Sequence, residues 1–190
     1  MQSIVEQFDY PPTLRDAPLL GVLTRMVPPA LVAEIVTAHA PARRRTRLLP
    51  AELTLLLVIA MNLFTADALD LVLAKLLLMP RLRWGEETIR LATKGAISQA
   101  RQRLGIRPVA ALFHRLCRPL ATPATPGAFC CGLRIMAIDT TVETVADTHA
   151  NERAFGRHRG WRGPAGFPQL LVAYLVECGT HAIVDVWLGP

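Results

Sequence analysis

At 190 residues and 20.8 kDa, the chain has room for one ordinary domain, or one small domain plus part of another, but not for two full-sized ones. Hydrophobic residues make up 52% and mean hydropathy is +0.32, which excludes a disordered chain. The net charge of +6 sits in the middle: residues 41–107 carry +7, against −2 for residues 1–40 and +1 for residues 108–190. A basic segment of this kind suits an anionic partner such as nucleic acid. Arginine supplies 19 of the 21 basic residues, and its planar fork suits phosphate and guanine, although a GC-rich gene would give the same bias.

The opening MQSIVEQFDYPPTLRD lacks the basic start and apolar block of a signal peptide, so a cytoplasmic location is expected, and residues 1–27 read as an N-terminal arm. Pro28 and Pro29 open the helix PPALVAEIVTAHA, and Pro41 ends it. Next, Arg43, Arg44, Arg45 and Arg47 crowd into five positions. Such a run suits phosphate contacts and equally suits a solvated charge patch.

The uncharged run from Leu53 to Ala66 is too short for the roughly 20 residues that cross a bilayer, so no membrane partner is expected. The segment from Ala51 to Phe64 reads instead as a core helix, apolar nearly all round. Asp67 is placed to cap a second helix running to about Met79 and stopped by Pro80.

In EETIRLATKGAISQARQRLG, Thr93 is a candidate cap and Gly105 a candidate stop, while Ile97, Ala100 and Leu104 form an apolar stripe. Lys94, Ser98, Arg101 and Gln102 recur at spacings that place them on a neighbouring face. A short helix with that polar face has the chemistry of one lying in a DNA major groove, where Arg reads guanine and Gln reads adenine; an ordinary amphipathic surface helix has the same pattern. Another helix begins at Pro108.

Residues 121–128, ATPATPGA, hold two prolines and a glycine and read as a linker. A helical domain over 28–120 precedes it, and a β-rich domain over 129–190 follows. There, Leu133–Ile138 reads as a strand closed by Asp139, and Leu170–Val176 and His181–Leu188 read as a hairpin turning at Gly179. The stretch FGRHRGWRGPAGFP between them reads as a loop whose Arg157, Arg159, Trp161 and Arg162 suit either DNA contact or plain solvation. Cys130 and Cys131 are adjacent and cannot bridge each other without strain, and together with His149 and His158 they match no common zinc spacing.

Four ordered blocks, RRRTRLLPAELTLLLVIAMNLF, KGAISQARQRLG, AIDTTVETVADTHANERAFG and FPQLLVAYLVECGTHAIVDVWLGP, resemble transposases of the insertion sequence 4 family, over about Pro28 to Pro190. The resemblance implies an α+β chain: an all-helical N-terminal domain that binds double-stranded DNA at transposon ends, followed by an incomplete RNase H-like antiparallel β-sheet. It further implies a site in which acids in the order Asp, Asp, Glu hold two Mg2+ ions for DNA strand cleavage and transfer, with Asp139 matching the first, and a homodimer on the DNA. Thr140 stands where many relatives have glycine, while Thr141 keeps the hydroxyl. One aspartate cannot hold two metal ions, and Glu143, Asp147 and Asp185 are poor substitutes by position. Catalysis by the isolated chain is therefore not expected, and a catalytically inactive DNA-binding regulator or gene remnant is the alternative reading.

Overall fold

The computed structural model describes residues 16–40, 49–77, 92–161 and 163–190. The chain divides into two compact units, Met1–Phe113 and His114–Pro190. The architecture is α+β: helices first, then small antiparallel sheets.

The first unit is built around one helix. α3 (Ala51–Leu63) buries Leu53, Leu55, Leu56, Leu57 and Ala60, which cover most of its circumference, so it needs neighbours on several sides. α2 (Pro29–His39), α4 (Leu69–Leu77) and α5 (Lys94–Leu104) all pack against it. Its one buried polar side chain, Thr54, donates its hydroxyl to the Pro50 carbonyl at 2.7 Å. α2 starts from the extended Pro28 and ends at the extended Ala40, as the prolines on either side require. Its Val32, Ile35 and Val36 form the i, i+3, i+4 stripe of a helix buried on one face.

Two features differ from the sequence-based expectation. Part of the expected arm is helical: α1 (Asp16–Met26) buries Leu20 and Leu23, and Val27 just beyond it is buried too. Asp67 does not cap α4. Its carboxylate pairs at 2.5 Å with Lys75, a buried ammonium that also lies over the Phe64 ring at 4.7 Å, and so it compensates a charge withdrawn from water. α4 is described to Leu77, so its expected end near Met79 lies outside the described residues.

α6 (Arg107–Leu116) runs across the division between the units. Residues 121–128 contain turns but no helix or strand, and Ala121 and Ala128 are buried. β1 (Phe129–Cys130) and β2 (Leu133–Arg134) form a minimal hairpin whose two turn residues, Cys131 (φ 50°) and Gly132 (φ 78°), are both left-handed. That is the backbone of a type I′ turn, which matches strand twist.

The main sheet has the order β3-β6-β7, all antiparallel, from β3 (Met136–Thr144), β6 (Gln169–Glu177) and β7 (Ile183–Gly189). The hairpin of β6 and β7 beside an earlier strand is as the sequence predicts. The earlier strand is not: it does not close at Asp139 but continues five residues further, because Thr140, Thr141, Val142 and Thr144 are β-branched and pair in register with β6. Between β3 and β6 stand α7 (His149–Phe155), capped by the Thr148 hydroxyl accepting from the Asn151 amide at 3.2 Å, and a two-residue ladder of β4 (Arg159–Gly160) and β5 (Gly163–Pro164) in the segment read as a loop.

Leu57 is fully buried in α3, whereas Leu63 on the same helix is 43% exposed. Leu57→Ala is expected to destabilise the first unit by about 2–5 kcal/mol, and Leu63→Ala by well under about 1 kcal/mol. Chemical denaturation of the two variants checks this, and equal losses would remove α3 from the centre of the core.

Candidate nucleic-acid interface and carboxylate site

The polar face of α5 is set by local capping and by the stripe beneath it. The Thr93 hydroxyl accepts from the Ala96 amide at 3.2 Å, Gly105 ends the helix at φ 71°, and Ile97, Ala100 and Leu104 are buried. With that stripe fixed against α3, Lys94, Ser98, Arg101 and Gln102 are all exposed, along one side of the helix. The structure therefore brings these four candidates together. Arg43, Arg44, Arg45 and Arg47 lie outside the described residues.

Asp139 lies within β3, one of the two outer strands of the sheet, opposite Tyr174 of β6, and is exposed. Its Oδ1 accepts from the Thr140 amide at 2.8 Å. Rows of the sheet decide which acids can join it. The row Ile138, Leu175, Asp185 is adjacent to the row Asp139, Tyr174, Val186, and adjacent rows point to opposite faces, so Asp185 faces away from Asp139. Glu143 shares the Asp139 face but stands four residues along the strand, about 13 Å away, whereas carboxylate oxygens sharing a divalent ion lie about 2 Å from it. Asp147 is taken by Arg157, which also pairs with Glu152, at 2.6 and 2.9 Å.

Among the described residues no group of three His, Cys, Asp or Glu side chains is placed to hold a metal ion. The described residues therefore do not by themselves fit a two-metal centre. The loop cations divide as well: Arg157 is engaged by Asp147, Glu152 and the Gly166 carbonyl, while Arg159 and Trp161 are exposed, Trp161 fully, and Arg162 lies outside the described residues.

The carboxylate that the sequence pattern does not single out is Glu177, at the end of β6 and 0% exposed. Its Oε2 accepts from the Leu120 amide (2.9 Å), the Ala121 amide (2.7 Å) and the Thr180 hydroxyl (2.6 Å), and its Oε1 accepts from the Arg134 guanidinium. Arg134 also donates to the Ala121 carbonyl at 3.2 Å and lies over the Phe129 ring. Burial alone pushes the acid up, but the Thr180 hydroxyl, the two backbone amides and Arg134 outweigh it and hold the Glu177 carboxyl at about 2, below its ordinary 4.5. The only signal in the sequence is an acid closing a continuous apolar strand, LLVAYLVE.

Because the folded-state value is the lower one, Glu177 contributes stability fully above about pH 4.5, and that contribution is lost as pH falls towards 2. Thermal melts of the second unit's signal should show the wild type losing stability over this window. Glu177→Gln should start lower and lose less over the same range, and a parallel decline in both would remove Glu177 from acid sensitivity.

Compared with known proteins, the chain matches the model of the insertion element 4 transposase N-terminal region over residues 18–114, just over half its length. It is 28% identical over 162 residues to the transposase InsG for insertion sequence element IS4 of Escherichia coli (strain K12), a match covering 85% of this chain and 35% of that protein. The chain thus spans about a third of the length of this relative. No solved structure matches it.

Proposed function

Since the chain belongs to the insertion element 4 transposase family, we propose that it serves DNA transposition, with its helical unit binding element-end DNA and its sheet carrying the first acid of the strand-transfer site. The observation that carries the reading is Asp139 held exposed on a regular strand near the start of the block AIDTTVETVADTHANERAFG, the block that resembles the family's first catalytic strand. A three-stranded antiparallel sheet with that acid on an outer strand supports an RNase H-like catalytic domain. The other two acids of the triad, and with them the capacity to hold Mg2+, would come from outside the described residues; no chemical step is assigned to Asp139 alone.

For the binding half, α5 is the element proposed to enter the major groove. Its buried stripe leaves Lys94, Ser98, Arg101 and Gln102 free to meet base edges and phosphates, and the Arg43–Arg47 run would add phosphate contacts. A second copy of the chain on paired element ends completes the proposal. No single helix among the described residues is long and apolar enough to cross a membrane. The inactive-regulator reading is favoured by one observation, that among the described residues Asp139 belongs to no group of three side chains able to hold a metal ion, and it predicts binding with no cleavage.

Two measurements test the proposal. Arg101→Ala with Gln102→Ala is expected to weaken specific binding to element ends by about 1–3 kcal/mol for each base edge no longer read, measured by fluorescence anisotropy against scrambled DNA. Replacing Arg43, Arg44, Arg45 and Arg47 should instead flatten the salt dependence of binding, by up to about 0.9 in slope for each phosphate that is no longer neutralised. Affinity and slope both unchanged would move the DNA interface elsewhere. In a transposase that supplies the remaining acids, Asp139→Asn should keep DNA affinity and reduce Mg2+-dependent cleavage to background; wild-type cleavage in that variant removes Asp139 from the site.

A further inference from the structure

The hairpin of β1 and β2 presents a pair of thiols that neither DNA binding nor strand transfer uses. Cys130 closes β1 and Cys131 opens the turn; both are exposed, and their Sγ atoms stand 3.9 Å apart. The turn holds them there, because Cys131 and Gly132 are both left-handed and β2 fixes the far side of the hairpin through the pairs Phe129–Arg134 and Cys130–Leu133. Arg134, in turn, is anchored on buried Glu177. The thiols therefore sit on a held scaffold.

A disulfide is the wrong product for this pair. Adjacent Cα atoms across a trans peptide lie about 3.8 Å apart, short of the roughly 4.4 Å at which ordinary disulfides begin. Inserting one atom between the sulfurs removes that constraint. A thiophilic centre bonded to each sulfur at about 2.3 Å, with a tetrahedral angle, spans about 3.8 Å from sulfur to sulfur, within a small side-chain rotation of the separation seen. No third His, Cys, Asp or Glu among the described residues joins them in a metal-holding group. Zinc, which takes four ligands in structural sites, would be left half-coordinated. A three-coordinate soft centre that brings its own third substituent is satisfied by two sulfurs.

We infer that Cys130 and Cys131 form a vicinal dithiol site for a trivalent arsenical or an equivalent soft, three-coordinate thiophilic centre. With phenylarsine oxide the step balances without any oxidant: two S–H bonds and the As–O bond break, two As–S bonds form, arsenic keeps its phenyl group and its oxidation state, and the oxide oxygen leaves as water with both thiol protons. The other two cysteines serve as internal controls. Cys117 and Cys178 are only partly exposed, and burial pushes the Cys117 thiol up, which disfavours its thiolate.

Native mass spectrometry of the reduced chain with phenylarsine oxide tests this. One adduct per chain is expected, removed by ethanedithiol and blocking alkylation of Cys130 and Cys131 in peptide maps. It should be lost in Cys130→Ser and in Cys131→Asn, the latter chosen because asparagine tolerates the left-handed backbone, and retained in Cys117→Ser with Cys178→Ser. No adduct on the wild type, an adduct that survives either Cys130→Ser or Cys131→Asn, or an adduct mapped to Cys117 or Cys178 overturns the assignment.

Discussion

A carboxylate taken wholly out of water must find donors for both oxygens or give up its charge. Glu177 finds four, and they come from the chain entering the second unit (Leu120 and Ala121), from β2 (Arg134) and from the turn after β6 (Thr180). Thr180 is local to the strand end, but the other donors are more than forty residues away in sequence, so the bonds form only when the sheet is assembled. Around them the segment before β1 is drawn onto the end of the sheet: the Cys178 amide donates to the Ile135 carbonyl at 3.1 Å and the Ile135 amide to the Ala128 carbonyl at 2.9 Å. What composition describes as a proline-rich connection is fastened at both its ends.

This anchoring bears on Asp139 through register. Met136 pairs with Glu177, so the end of β6 that the buried carboxylate fixes is also the end from which β3 counts its partners, and Asp139 falls opposite Tyr174 as a result. A slip of one residue would send Asp139 to the other face of the sheet. The sheet itself is apolar beyond what its own strands cover: Ile138 is 76% exposed, and Val142, Ile183, Trp187 and Leu188 are exposed as well. Sheets with this much apolar surface are ordinarily packed against another layer.

Much of the helical half was legible because its signals are local. Prolines at 28, 29 and 41 bracket α2, the uncharged run that starts at Leu53 marks the core helix, and Thr93 with Gly105 brackets α5. α1 escaped because the proline-bearing N-terminal stretch reads whole as an arm, although Leu20, Leu23 and Val27 carry its buried stripe. α7 escaped for the opposite reason: HANERAF has no buried residue, so no periodicity announces it, only the Thr148 cap and Gly156 beyond. Asp139 was recognisable but placed at a strand end, because the apolar run stops there while the pairing does not; threonines at 140, 141 and 144 extend the ladder without extending the apolar pattern. The role of Asp67 was misjudged because a capping aspartate and a counter-ion for a lysine eight residues on look the same in one dimension. Glu177 shows in the sequence only as an acid closing an apolar strand, since its significance lies in partners that only the folded chain assembles.

The turn at Gly179 adds a geometric limit of its own. At φ 87° it passes so close to the entering segment that a Cβ there would stand 2.8 Å from the Pro126 carbonyl oxygen and 2.9 Å from the Ala128 Cβ. Two backbones touch at this point with no side chain between them. The Thr122 amide donates to the Thr125 hydroxyl at 3.0 Å and the Thr125 amide to the Thr122 carbonyl at 2.8 Å, so the connection is a closed turn rather than slack chain. With the Ala121 amide held on Glu177 at one end and Pro126 against Gly179 at the other, its length is set from both sides.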